Sequence, residues 1–115
     1  MKSFLKSFGY ALTGIKLSFA QRNFKIQLLC AIIAIALGFY FSINSTEWCI
    51  ILFSIALVLS LEVTNSAIEH FVDIVSPEYN QTAGKIKDLA AAAVLISAIV
   101  SAIVGVIIFW KYIWV

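Results

Sequence analysis

Leu89-Ala90-Ala91-Ala92-Ala93-Val94-Leu95-Ile96-Ser97-Ala98-Ile99-Val100-Ser101-Ala102-Ile103-Val104-Gly105-Val106-Ile107-Ile108-Phe109-Trp110 contains no charged residue. As an α-helix it is about 33 Å long, enough to cross a hydrocarbon core of about 30 Å. The whole chain follows this lead. Of its 115 residues 63% are hydrophobic and 12% charged. A soluble domain has roughly half its residues apolar and about a quarter charged, and a disordered chain has fewer apolar residues still, so both classes are excluded. A net charge of +2 does not indicate a nucleic-acid partner. Two cysteines without CxxC spacing give neither a disulfide framework nor a zinc knuckle.

Two further apolar segments precede this one. One runs from Gln27 to Ile43, and another starts at Trp48 and is apolar to Leu61. Asn44-Ser45-Thr46-Glu47 separates them, with Ser45 or Thr46 as the expected helix cap and Glu47 in the first turn. The stretch from Ser76 to Asp88 holds the only proline, Pro77, and reads as a helix stop. The predicted fold is an all-α integral membrane protein, a single domain over 1–115 with spanning helices at 27–43, 47–75 and 87–111. Residues 2–22 are predicted to form an amphipathic surface helix. Phe4, Phe8, Leu12, Ile15 and Phe19 recur at steps of three and four, with Lys2, Lys6, Thr13 and Lys16 on the other side. The first apolar run begins late and lacks a small-residue cleavage pattern, so the N-terminal segment is expected to be retained.

Seven of the eight basic residues (Lys2, Lys6, Lys16, Arg22, Lys25, Lys85 and Lys87) fall on one side of these spans. The positive-inside rule places that side in the cytoplasm, with the N-terminus in and the C-terminus out. Trp48, Trp110, Tyr112 and Trp114 would line the outer interface. In the third span Ala93, Ser97, Ser101 and Gly105 recur at steps of four, which predicts a close helix-packing seam.

The chemistry lies in Leu61-Glu62-Val63-Thr64-Asn65-Ser66-Ala67-Ile68-Glu69-His70-Phe71-Val72-Asp73. Glu62, Asn65, Glu69 and Asp73 fall within an arc of roughly 80° and form a stripe about 16 Å long. The helix simply leaving the bilayer accounts for His70 and Asp73. It does not account for Glu62, which has membrane-like sequence on its N-terminal side, and ionisable residues at that depth are costly and usually functional. Carboxylates at a membrane surface are hard oxygen ligands for Mg²⁺ shared with phosphate. A desolvated one is a usable general base. Lys85 and Lys87 add point charges suited to phosphates, and Asp88 and the single Gly84 stand beside them. No GxxxxGK[ST] motif occurs. The set suits phosphoryl transfer to a lipid hydroxyl, although the stripe alone does not say which acid is base and which is ligand. Cys30 and Cys49 read as packing residues.

Glu62-x-x-Asn65-Ser66-Ala67-Ile68-Glu69-x-x-x-Asp73, followed by Glu78-Tyr79 and by Gly84-x-x-Lys87-Asp88, closely resembles the prokaryotic diacylglycerol kinase family, which includes undecaprenol kinases. Gly9-Tyr10 and Arg22-Asn23-Phe24-Lys25-Ile26 extend the resemblance over nearly the whole chain. It implies a homotrimer of three-span subunits in the bacterial inner membrane, with shared active sites that phosphorylate a lipid hydroxyl from Mg²⁺-ATP on the cytoplasmic side. By position, Glu62 matches the general base, Glu69 a metal-binding Glu, Asn65 a supporting Asn and Asp73 a further motif residue. Tyr10, Glu78, Gly84, Lys87 and Asp88 match nucleotide-contacting positions. The family usually has a second metal-binding Glu just before the Arg-Asn pair, where this chain has Gln21. Gln21 is kept as a metal ligand through its amide oxygen. The lipid is left open between diacylglycerol and undecaprenol, the Arg22–Ile26 stretch looking more like undecaprenol-kinase-like members. Two other readings stand beside the kinase: a small proton-coupled transporter, and a catalytically impaired relative acting as a membrane scaffold.

Overall fold

The computed structural model describes residues 1–114. It contains four helices in the order α1 (Lys2–Ser18), α2 (Arg22–Tyr40), α3 (Ser45–Val75) and α4 (Gln81–Ile113), and no strand among the described residues. The last three are long and apolar enough to cross a membrane. The protein is an all-α membrane protein. α3 and α4 have 31 and 33 residues, about 46–50 Å of helix, so their ends extend past a hydrocarbon core of about 30 Å.

α3 is the central element and touches each of the other three helices. Its inward seam reads Glu47, Ile51, Val58, Glu62, Asn65 and Val72, all buried and spaced at helical repeats. α4 runs back along it. Its covered positions include Ala83, Ala90, Val94, Ser97, Ser101, Val104 and Ile108. Ser97 is buried and Ser101 half-buried, but Ala93 is exposed, and a Cβ placed on Gly105 would meet nothing within 4 Å. The seam within one protomer is therefore made of Ala, Val and Ser at alternating steps of three and four, not of the four small residues at equal steps. Equal steps of four drift off a helix face with a period of 3.6.

Helix boundaries have local causes. α2 starts at Arg22, ahead of the apolar run, because Phe24 is already buried and its ring meets Phe19 edge-on at 5.3 Å. It ends in a Schellman turn. The Ile43 amide donates to the Gly38 carbonyl at 3.1 Å, the Ser42 amide to the Phe39 carbonyl at 3.3 Å, and Ser42 adopts φ 52°. α3 is capped by Asn44, not by Ser45 or Thr46. Asn44 Oδ1 accepts from the Glu47 amide at 2.9 Å, and Glu47 Oε1 accepts from the Asn44 amide at 3.1 Å. Only Asn44 stands three residues before a glutamate, the spacing that a reciprocal capping box requires.

Trp48 and Tyr112 are drawn into packing. Trp48 lies on Gly38 and meets Phe39 at 4.9 Å, and Tyr112 stacks on Phe41 at 5.7 Å. Trp110 and Trp114 remain exposed. Within the protomer only about a fifth of each apolar span is covered (17%, 22% and 22%). The remainder requires lipid or other apolar surface.

Candidate functional site

The site grows out of the α3 seam. Val58 and the residues before it continue an apolar core, and the next inward positions are Glu62, Asn65 and Glu69. Glu62 is 3% exposed and Asn65 6%. The helix places three polar groups where its own periodicity demands apolar ones, a local conflict of the kind expected at a functional site. Glu62 makes no side-chain hydrogen bond or ion pair among the described residues. Asn65 Nδ2 donates to Glu69 Oε1 at 3.2 Å, while its buried Oδ1 has no partner. An unsatisfied buried amide oxygen costs about 1–3 kcal/mol, so it marks a place where a donor or cation is missing.

Asp73 leaves the seam. Val72 takes the inward position, and Asp73 is exposed and pairs with Lys87 of α4 at 2.5 Å. The four residues of the stripe thus divide into buried Glu62 and Asn65, half-buried Glu69, and an exposed acid that ties α3 to the start of α4. In the connecting turn, Asn80 Oδ1 caps α4 by accepting from the Ala83 amide at 2.8 Å, and Ser76 Oγ donates to the Glu78 carbonyl at 3.1 Å. The Tyr79 ring lies over Gly84, where an added Cβ would come within 3.2 Å of it. His70 is exposed, its Nδ1 2.7 Å from the Ser66 carbonyl on its own helix.

Other residues expected at the site have no side-chain bond that ties them to it. Tyr10 on α1, Glu78 and Asp88 are exposed and make no side-chain hydrogen bond among the described residues. Gln21 is half-buried at the N-cap of α2, without a side-chain cap bond.

Two features have no counterpart in the sequence pattern. An apolar groove of about 760 Å³ runs between α2, α3 and α4, lined among others by Gln27, Ala31, Val58, Leu59, Ala98 and Gly105. Val58 and Leu59 bring it to within one turn of Glu62. At the far end of α3, Glu47 accepts from Tyr112 Oη at 2.5 Å and from Lys111 Nζ at 2.8 Å. Sequence separations of 64 and 65 residues leave no local signal for these contacts.

The donor set suits Mg²⁺. Glu69 offers a hard carboxylate, and the orphaned Asn65 oxygen beside it is unsatisfied. Among the described residues no group of three or more His, Cys, Asp or Glu could hold a metal by itself. Mg²⁺ does not need one, since it is commonly held by one or two carboxylates together with substrate phosphates and water.

Comparisons with known proteins bear on the chain as a whole. Residues 9–109 match the family model described as prokaryotic diacylglycerol kinase. The chain is 37% identical over 110 residues to the undecaprenol kinase of Bacillus subtilis (strain 168), covering 95% of this chain and 89% of that protein. It is 29% identical over 109 residues to the diacylglycerol kinase of Escherichia coli (strain K12), covering 94% and 89%. It is 31% identical over 114 residues to the diacylglycerol kinase of Helicobacter pylori (strain J99 / ATCC 700824), covering 98% and 82%.

Proposed function

The chain belongs to the prokaryotic diacylglycerol kinase family and is a lipid kinase, and we propose that it moves the γ-phosphate of ATP to the hydroxyl of diacylglycerol or undecaprenol at the cytoplasmic face of the bacterial inner membrane. The observation that carries this is Glu62, a carboxylate buried without a partner one turn from the end of an apolar groove. The groove takes the lipid tail and leaves its hydroxyl at Glu62. There the carboxylate accepts the hydroxyl proton as the oxygen attacks the γ-phosphorus and the bond to the bridging oxygen breaks, releasing ADP.

Asn65 holds Glu69 in place through its amide nitrogen. Glu69, with the Gln21 amide oxygen as second donor, would hold Mg²⁺, which when bound neutralises phosphate charge. Lys87 takes the phosphates, exchanging Asp73 for them as partner. Tyr10, Glu78, Gly84 and Asp88 complete the nucleotide site. Among the described residues of one protomer, Tyr10, Glu78 and Asp88 are exposed without side-chain partners and most of each apolar span is uncovered, which favours a homotrimer in which each site draws on two chains. The chain works as one membrane-embedded unit, its N-terminus inside and its C-terminus outside.

The test is transfer from labelled ATP with Mg²⁺ to diacylglycerol and to undecaprenol in parallel mixed micelles. The wild type should label one lipid faster, which names the substrate. Glu62→Gln should abolish labelling. Gln21→Glu should lower the Mg²⁺ concentration needed for half-maximal rate. Labelling that survives in Glu62→Gln at the wild-type rate would remove Glu62 from the chemistry.

A further inference from the structure

The first 46 residues contain five cations, Lys2, Lys6, Lys16, Arg22 and Lys25, and no acid. All five are exposed, and none is in an ion pair among the described residues; of the three cations elsewhere in the chain, Lys87 and Lys111 are held by a carboxylate and Lys85 is exposed and unpaired. The three on α1 are in register. With about 100° per residue, Lys2, Lys6 and Lys16 fall within an arc of roughly 80°, in a stripe about 21 Å long. Gly9 and Thr13 lie between them in the same arc, so no bulky side chain separates the ammonium groups. The Thr13 hydroxyl is spent on the Gly9 carbonyl at 3.0 Å.

The rest of α1 orients this stripe. Phe4, Leu5, Phe8, Leu12 and Ile15 form a separate face, each 49–72% exposed. The covered edge lies elsewhere, at half-buried Gly14 and buried Ser18, on the only side where α1 is packed against the body of the protein. An apolar face without protein cover, beside a cationic stripe turned away from that body, has the form of a helix sunk to headgroup depth. Orientation by the positive-inside rule requires cations near a span but does not require them in one stripe.

We infer that the Lys2–Lys6–Lys16 stripe of α1 docks on anionic lipid headgroups, so that the protein gathers negatively charged phospholipid around its N-terminal helix. Phosphate groups of the surrounding leaflet are the occupant, and zwitterionic headgroups, which carry no net charge, are not selected. None of the three lysines belongs to the proposed phosphoryl-transfer site, although Tyr10 of the same helix does, and lipid selection is read without turnover.

The test uses the full chain in vesicles of phosphatidylcholine containing a minority of phosphatidylglycerol. Trace spin-labelled phosphatidylglycerol or phosphatidylcholine reports the motionally restricted lipid at the protein surface. The restricted fraction should favour phosphatidylglycerol by roughly fivefold, the preference that one surface lysine carries. Molar salt, with a Debye length of about 3 Å, should remove most of it. In K2Q/K6Q/K16Q the preference should fall close to unity, and K2R/K6R/K16R should keep it. The arginine variant separates loss of charge from damage to the helix. No preference in the wild type overturns the inference. A preference unchanged in the glutamine variant overturns it too, by moving the selection to other residues.

Discussion

Glu47 and Glu62 stand on the same seam of one helix, about 22 Å apart, and the protein treats them in opposite ways. Glu47 is saturated. The Asn44 amide, the Tyr112 hydroxyl and the Lys111 ammonium all donate to it. Glu62 has none of these, and Asn65 beside it also keeps an empty oxygen. Burial alone does not distinguish a structural acid from a functional one, since both are under a tenth exposed. Satisfaction does. A satisfied acid fastens the end of α3 to the end of α4. Glu62, unsatisfied, fastens nothing within the protomer, in keeping with the proposed role of receiving a substrate proton.

The largest predicted effect sets these two carboxylates against each other. Glu62→Gln should lower the turnover rate by about 10²–10⁴-fold, the range for removing a general base. Its thermal midpoint in detergent should hold or rise, because a neutral amide is cheaper to bury than an unpaired carboxylate. Glu47→Gln should do the reverse. It removes the charge that Lys111 pairs with and turns an N–H toward either Lys111 or the Tyr112 and Asn44 donors, so the midpoint should drop by several degrees while turnover per folded molecule is kept. Midpoint and turnover measured on both variants decide it. Unfolding by Glu62→Gln, or a dead but stable Glu47→Gln, would erase the contrast.

Much of this was readable in the chain because it depends on composition and on one helix at a time. The three apolar spans follow from hydropathy, and Glu62, Asn65 and Glu69 share a face because the helical period dictates it. The N-cap was misassigned: Ser45 or Thr46 was expected, and the signal passed over was the three-residue spacing from Asn44 to Glu47. Asp73 was not readable. It lies within about 20° of Glu62 on a helical wheel, and it leaves the seam only because Lys87 comes alongside from α4. The Glu47 cluster was hidden for the same reason, since the register of two antiparallel helices brings it together. Tyr10, Glu78 and Asp88 are exposed and find no side-chain partner among the described residues of one chain, which is why a shared site is proposed.

The Glu47 end should also be the more sensitive to packing. Gly38 lies against Trp48 so closely that a Cβ would fall 2.6 Å from the ring. Gly38→Ala gains about 1 kcal/mol of helix propensity and incurs about 1–3 kcal/mol of overpacking, for a net loss of about 1 kcal/mol. Adding Trp48→Leu should recover part of the loss in a double-mutant cycle followed by denaturant unfolding. Strict additivity would mean that the two residues do not press on each other.

Lys87→Met probes the opposite end. Its pair with Asp73 is solvent-exposed, with side chains 39% and 63% accessible, so the stability change should stay below about 0.5 kcal/mol. The Michaelis constant for ATP should nonetheless rise about tenfold, as expected if Lys87 exchanges Asp73 for the phosphates in the way proposed above. A large loss of stability with an unchanged constant would make this pair a fastener like Glu47, and the two ends of the helix would no longer differ in kind.

The smallest effect sharpens the picture at the turn beside Glu47. Ser42 is the left-handed residue of the Schellman turn, at φ 52°, a conformation that costs an L-residue about 1 kcal/mol and glycine almost nothing. Against that gain, glycine loses more backbone entropy on folding. Both turn hydrogen bonds are made by main chain, the Ile43 amide to Gly38 and the Ser42 amide to Phe39, so removing the side chain leaves them intact. Ser42→Gly should therefore raise stability by about 0.5 kcal/mol in denaturant unfolding with turnover unchanged. The sign is the informative part. Glu47→Gln and Gly38→Ala both destabilise this end, because its polar groups are already satisfied and its rings already closely packed. Ser42 is, among the described residues, the one non-glycine position with positive φ, so strain remains to be released there. A destabilised Ser42→Gly would mean that the turn is held by its side chain, and that the fastening of α2 to α3 reaches beyond Ile43 and the Gly38–Trp48 contact.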